Sequence, residues 1–94
     1  MRLSPDNTRK LVSIARKHGA VRAALFGSFA RGDARPDSDL DVLVVLEPGR
    51  SLLELVRLER QLREELGLKV DVVTPKSLHP LVLERVMAER KPVL

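Results

Sequence analysis

The sequence predicts an α/β layer protein in which helices pack on a small three-stranded mixed sheet, in the order αβ(α)βαβα. Two observations predict this class. Short aliphatic runs of strand length (Val21–Phe26, Leu40–Leu46 and Val70–Val73) alternate with longer segments whose apolar residues recur at helical spacing. The chain of 94 residues provides one modest hydrophobic core, so we expect a single domain over residues 1–94.

Local signals define the ends of the helices. Ser4-Pro5 predicts the start of the first helix, with serine as the N-cap and proline at the first helical position. Ser51 and Glu54 form a capping-box pattern that opens the longest helix, and Gly67 ends it. Ser28 to Arg31 predicts a single helical turn after the first strand.

The longest helix has one apolar face at 100° per residue. We expect this face to contain Leu52, Leu55, Leu58, Leu62 and Leu66. Leu53 and Val56 fall outside it, either as isolated surface residues or as part of a partner-binding patch. A last helix is predicted over Leu78–Glu89, and Lys91–Leu94 is too short to assign.

Composition limits the classes of function. A net charge of +4 fits either an anionic partner or a solvated, arginine-rich surface. The absence of cysteine excludes disulfides and thiolate metal sites and is compatible with a cytoplasmic location. We expect no membrane insertion, because no apolar run approaches about 18 residues. With no Tyr or Trp and 2 Phe, a surface of stacked aromatics for single-stranded bases is hard to build, so nucleic acid is not the expected main partner.

The most informative motif is the stretch from Gly27 to Asp41, which reads GSFARGDARPDSDLD. Its Gly-Ser turn follows the first strand, and its Ser-Asp-Leu-Asp opens the second. Side chains alternate along a strand, so Asp39 and Asp41 project from the same face. A phosphate-accepting turn ahead of two carboxylates can hold a nucleoside triphosphate and magnesium.

Topology adds a third acid to this pair. The first two strands are joined by a local connection, which favours antiparallel pairing, and a right-handed helical crossover makes the second and third strands parallel. Asp71, early in the third strand, then lies at the same sheet end as Asp39 and Asp41. Three carboxylates at one place favour two magnesium ions, which can clamp an in-line phosphoryl displacement.

Each piece of this pattern also has a simpler interpretation. An isolated Asp-x-Asp is often a turn or a solvated strand edge, and Asp71 alone resembles an exposed strand residue paired with Lys69 or Lys76. The conjunction of the Gly-Ser turn with three acids favours the catalytic interpretation. His18 and His79 are predicted to be surface residues without a catalytic role, and both phenylalanines are expected in the core.

These residues closely resemble the minimal nucleotidyltransferases of the DNA polymerase β superfamily. The family pattern is Gly-Ser, about ten residues, Asp-x-Asp and a later carboxylate. Here it is carried by Gly27 to Asp41 and by KVDVV from Lys69 to Val73. The resemblance covers essentially the whole chain and implies the polymerase-β-like nucleotidyltransferase fold. No departure from the three-acid pattern is present.

The resemblance implies an enzyme that transfers AMP from ATP, with release of pyrophosphate, in a magnesium-dependent reaction. It assigns catalysis and metal binding to Asp39, Asp41 and Asp71, and nucleotide binding to Gly27 and Ser28. We add Arg31 and Ser38 to the nucleotide-binding residues. Small members of the family are typically antitoxins that silence a HEPN-domain ribonuclease toxin by attaching AMP to a tyrosine. The lack of tyrosine in this chain means that a tyrosine acceptor must come from a partner.

Two alternative functions remain at the level of sequence. One is a catalytically weak or inactive antitoxin that acts by binding its partner alone. The other is a basic module that binds nucleic acid, whose affinity would fall steeply with salt and would not need magnesium or ATP.

Overall fold

The computed structural model describes all residues from 1 to 94. Its helices are α1 (Pro5–Lys17), α2 (Gly27–Arg31), α3 (Leu52–Leu66) and α4 (Pro80–Glu89), and a 3₁₀ turn covers Pro75–Ser77. Its strands are β1 (Ala20–Phe26), β2 (Leu40–Leu46), β3 (Val70–Val73) and β4 (Lys91–Pro92). None of the helices combines the length and apolar character needed to cross a membrane.

The strands form one mixed sheet in the order β3-β2-β1-β4. β1 pairs antiparallel with β2, and β2 pairs parallel with β3, which confirms both predicted strand directions. The prediction of three strands was wrong by one, because β4 pairs antiparallel with β1. Backbone hydrogen bonds hold this short strand: the amides of Val93 and Leu94 both donate to the Ala23 carbonyl, at 2.9 and 3.1 Å.

The two faces of the sheet have different environments. Helices α1 and α3 cover one face, where their buried side chains pack against alternate residues of β2. This core contains Leu11, Ile14, Leu58, Leu62, Leu40, Val42 and Val44. Because side chains alternate along a strand, Asp41, Leu43 and Val45 point to the opposite face. The α1–α3 layer therefore leaves the second face of the sheet for the polar site.

Three local predictions differ from the structure. Ser51 is the N-cap of α3, but its side chain makes no capping hydrogen bond. Glu54 instead binds His18 and Arg50, so the capping box does not form. His18 is not a free surface residue, because its side chain is only 12% exposed and bridges α1 to α3. Leu52 was expected on the apolar face, but at the first residue of the helix it is 78% exposed.

Candidate active site

The turn between β1 and α2 requires glycine. Gly27 has a φ of 71°, a conformation that side-chain-bearing residues rarely adopt. A Cβ at this position would also overlap the Asp41 carboxylate. The missing side chain thus allows the turn and the carboxylate to approach each other closely. Ser28 follows inside α2, where the first-turn amides have no partner within the helix.

Strand register brings the predicted acids together. Asp41 lies opposite Phe26 of β1 on one side and opposite Asp71 of β3 on the other. Asp39 precedes β2 by one residue and is two residues from Asp41. Because side chains alternate along a strand, both carboxylates lie on the same face of the sheet. Asp39 and Asp71 are exposed, and Asp41 is partly buried between them. The structure therefore assembles the predicted three-acid group at one end of the sheet, next to the Gly-Ser turn.

The carboxyl group of Asp41 has a raised pKa. Its pKa is raised from 3.8 to about 6, first by partial burial and then by the negative charges of Asp71 and Asp39. The positive charge of Arg31 opposes this shift but does not cancel it. The site therefore concentrates negative charge that it does not neutralise by itself. Such perturbed carboxyls are frequent at catalytic sites.

The acid group fits the magnesium that the sequence implies. Carboxylate oxygens are the ligands that this hard cation prefers, and a divalent charge would offset the repulsion from Asp71 and Asp39, which adds to burial in raising the pKa of Asp41. In this structure no group of three or more His, Cys, Asp or Glu side chains is arranged so that it could hold a metal ion. Magnesium is commonly bound by only one or two carboxylates together with substrate phosphates, so the acids would have to be completed by the nucleotide. Asp39, Asp41 and Asp71 are the residues that would hold the metal.

The other predicted nucleotide ligands have different surroundings. Ser38 uses its hydroxyl to accept a hydrogen bond from the Arg35 amide at 2.8 Å, and this bond shapes the loop before β2. Arg31 extends across the turn and pairs with Asp33 at 3.3 Å and with Glu89 at 3.2 Å. Ser28 is partly buried and lies directly after Gly27. Among these polar side chains, Ser28 is the one placed at the turn itself.

Sequence reasoning missed Glu89, the last residue of α4. One carboxylate oxygen accepts a hydrogen bond from the Gly27 amide at 2.9 Å, and the other accepts from Arg31 at 3.2 Å. One signal for it was present in the sequence: a negative charge at a helix C-terminus is unfavourable to the helix dipole. An acid in such a position therefore suggests that a tertiary hydrogen bond or ion pair offsets the unfavourable interaction with the helix dipole.

The chain matches the family model described as a nucleotidyltransferase domain over residues 8–93. It belongs to the nucleotidyltransferase family. A Methanocaldococcus jannaschii relative named as a putative protein adenylyltransferase is 49% identical over 86 residues, covering 92% of each chain. The protein adenylyltransferase MntA of Thermococcus cleftensis is 41% identical over 73 residues, covering 78% of this chain and 74% of the relative.

Two solved structures share the fold of this chain. A minimal nucleotidyltransferase has a TM-score of 0.84 and 46% identity, over 93% of this chain and 89% of that one. A toxin–antitoxin complex with AMP-PNP has a TM-score of 0.83 over 94% of this chain and 73% of that one. At 23% identity, the second similarity supports the fold alone. The chain is therefore a nucleotidyltransferase with the fold that its motifs predicted.

Proposed function

We propose that this nucleotidyltransferase transfers AMP from ATP to a tyrosine hydroxyl of a partner protein, in a magnesium-dependent reaction, and that the partner is a HEPN-domain ribonuclease toxin. The observation that carries the proposal is the group formed by Asp39, Asp41 and Asp71 beside the Gly27-Ser28 turn. Carboxylates for the metal and a turn for the phosphates are the two components that nucleotidyl transfer requires.

The proposed reaction assigns a separate role to each of these residues. The acceptor hydroxyl oxygen bonds to the α-phosphorus of ATP, and the bond from that phosphorus to the bridging oxygen breaks, so pyrophosphate leaves with the electron pair. The hydroxyl proton moves to a carboxylate, and Asp71 is our candidate because it is exposed on β3 beside Asp41. Ser28 offers its amide and hydroxyl to the terminal phosphates. When bound, magnesium neutralises charge on the phosphates and the carboxylates.

The nature of the acceptor follows from composition and from the openness of the site. The chain has no tyrosine, so it cannot modify itself on that residue. Asp39 and Asp71 are exposed rather than enclosed in a cavity, which leaves room for a hydroxyl presented by a second protein. A cleft of about 250 Å³ is bordered by Leu43, Val45 and Met87 together with Arg22 and Arg90, and Leu43 is two residues from Asp41 along β2. Adenine can rest on aliphatic side chains of this kind, since the chain has few aromatics.

The relatives support the same chemistry. The two relatives described above are named protein adenylyltransferases. A similar fold also occurs in an antitoxin solved in complex with a tri-AMPylated HEPN toxin of Shewanella oneidensis, at 21% identity and a TM-score of 0.73. These names describe the other proteins, and they make a HEPN toxin the first partner to test here.

The decisive experiment separates catalysis from binding. The double variant Asp39→Asn/Asp41→Asn keeps the shape of the site but removes the charges that the metal needs. We expect it to bind a HEPN partner protein with unchanged affinity, yet to fail both to add AMP and to restore growth of cells that express that toxin. Asp37→Asn, an exposed acid in the same loop, serves as the control that retains both activities. If the double variant still neutralised the toxin, docking alone would be sufficient and the proposed mechanism would be wrong.

A further inference from the structure

The backbone amide of Gly27, the first amide of the Gly27-Ser28 turn, already has a hydrogen-bond partner in the folded protein. Glu89 accepts from the Gly27 amide through one oxygen and from the Arg31 guanidinium through the other. Both of these donors were predicted to bind the nucleotide. The carboxylate that occupies them comes from a residue 62 positions away from Gly27 in the sequence.

Two elements hold Glu89 in this position. It is the last residue of α4, and β4 begins two residues later and pairs with β1. Lys91 lies opposite Leu25, which is two residues before Gly27. The carboxylate is therefore delivered by a segment that is hydrogen-bonded to the same strand that ends in the phosphate turn. Its side chain is 33% exposed, so neighbouring atoms cover most of it.

The contact leaves other donors of the turn free. The first four amides of a helix have no partner within it, and Glu89 satisfies the one that belongs to Gly27. The amide of Ser28 and its hydroxyl remain available next to the three acids. A triphosphate can then bind Ser28 without displacing Glu89. The charge of Arg31 is meanwhile shared between Asp33 and Glu89.

From this geometry we infer that Glu89 is a positioning residue of the nucleotidyltransferase site: it fixes the Gly27 turn and Arg31 so that Ser28 faces the triphosphate. The inference rests on the proposed function and extends it to a residue outside the three-acid motif. It reassigns Gly27 and Arg31 from direct phosphate ligands to parts of the support for the turn.

Two substitutions at Glu89 separate positioning from charge. Glu89→Gln removes the negative charge but keeps an oxygen that can accept from the Gly27 amide. Glu89→Ala removes both. Loss of a carboxylate near a polyanion should by itself raise nucleotide affinity, so weaker binding would be a sign of lost geometry. Glu84→Ala is the matched control, because Glu84 is an exposed acid on the same helix.

We would measure the dissociation constant for magnesium-ATP by calorimetry and the exchange rate of the Gly27 amide by NMR without nucleotide. The expected result is about fivefold weaker binding in Glu89→Ala, from the loss of one ordered hydrogen-bonding contact, and binding within about twofold of wild type in Glu89→Gln and Glu84→Ala. Exchange of the Gly27 amide should accelerate in Glu89→Ala only. Circular dichroism establishes that each variant is folded.

Tighter binding in both Glu89 variants would overturn the inference, because Glu89 would then be a competitor of the phosphate. Unchanged binding in Glu89→Ala would overturn it as well. If the wild type bound no nucleotide, the proposed function itself would fail. The exchange rate of the Gly27 amide would then show separately whether Glu89 supports the turn.

Discussion

Replacing Asp41 with Asn should stabilise the protein and remove part of the pH dependence of its stability. In the folded protein the pKa of Asp41 is raised to about 6, first by partial burial and then by the charges of Asp71 and Asp39. In the unfolded chain the same carboxyl titrates near 3.8. The folded state therefore binds this proton more tightly. Stability should increase as the pH falls through 6 towards 3.8, and the full penalty should be present above pH 6.

The size of the effect follows from the two pKa values. A carboxyl whose pKa moves from 3.8 to about 6 prefers its neutral form on folding by at most about 3 kcal/mol, and solvent screening of this partly exposed group reduces that free energy. Asparagine is neutral but still polar and partly buried, so it recovers only part of this free energy. We expect Asp41→Asn to raise the free energy of unfolding by about 1–2 kcal/mol above pH 7, and by much less near pH 4.

Urea unfolding at several pH values measures this difference. The signal should be circular dichroism, because the chain has no tryptophan or tyrosine. Asp37→Asn is the control, since Asp37 is exposed in the loop before β2 and should change stability little at any pH. A gain in stability for Asp41→Asn that is the same at pH 4 and pH 7.5 would refute the reasoning. It would show that the carboxylate charge is not the source of the penalty.

Three further predictions concern single residues. Gly27→Ala should lower the free energy of unfolding by about 1–3 kcal/mol and prevent nucleotide binding. The reason is that Gly27 has a φ of 71° and that an added Cβ would overlap Asp41. A variant of wild-type stability would contradict this prediction. His18→Ala should lower the thermal midpoint by several degrees, because His18 joins α1 to Glu54 at 2.7 Å, and an unchanged midpoint would argue against this bridge. Val56→Gln should change the free energy of unfolding by less than about 0.5 kcal/mol, because this side chain is 65% exposed; a larger loss in urea unfolding would show that Val56 packs in solution.

Much of the site could be predicted because its determinants are local. The bounds of β2, Leu40–Leu46, are those expected from an aliphatic run that ends before Pro48-Gly49. The meeting of Asp41 and Asp71 needed only two general rules: side chains alternate along a strand, and crossovers between parallel strands are right-handed.

The features that sequence reasoning missed depend on contacts between distant segments. Strand β4 has two residues, one of them proline, and it exists because β1 offers it hydrogen bonds. Glu54 was expected to cap its own helix, but His18, 36 residues away, competes for the same carboxylate. No periodic pattern in the sequence indicates either contact, because each contact depends on the tertiary structure. Glu89 belongs to the same class, since its partners lie 58 and 62 residues away.

Transfer of a labelled phosphate group tests the central claim most directly. The purified chain would be mixed with magnesium, the HEPN partner and ATP labelled at either the α- or the γ-phosphate. Attack on the α-phosphorus predicts that the partner acquires the α-label and not the γ-label, and that Asp39→Asn/Asp41→Asn abolishes this transfer. Labelling from the γ-phosphate, or α-labelling that survives in the double variant, would contradict the assignment of the three carboxylates to nucleotidyl transfer.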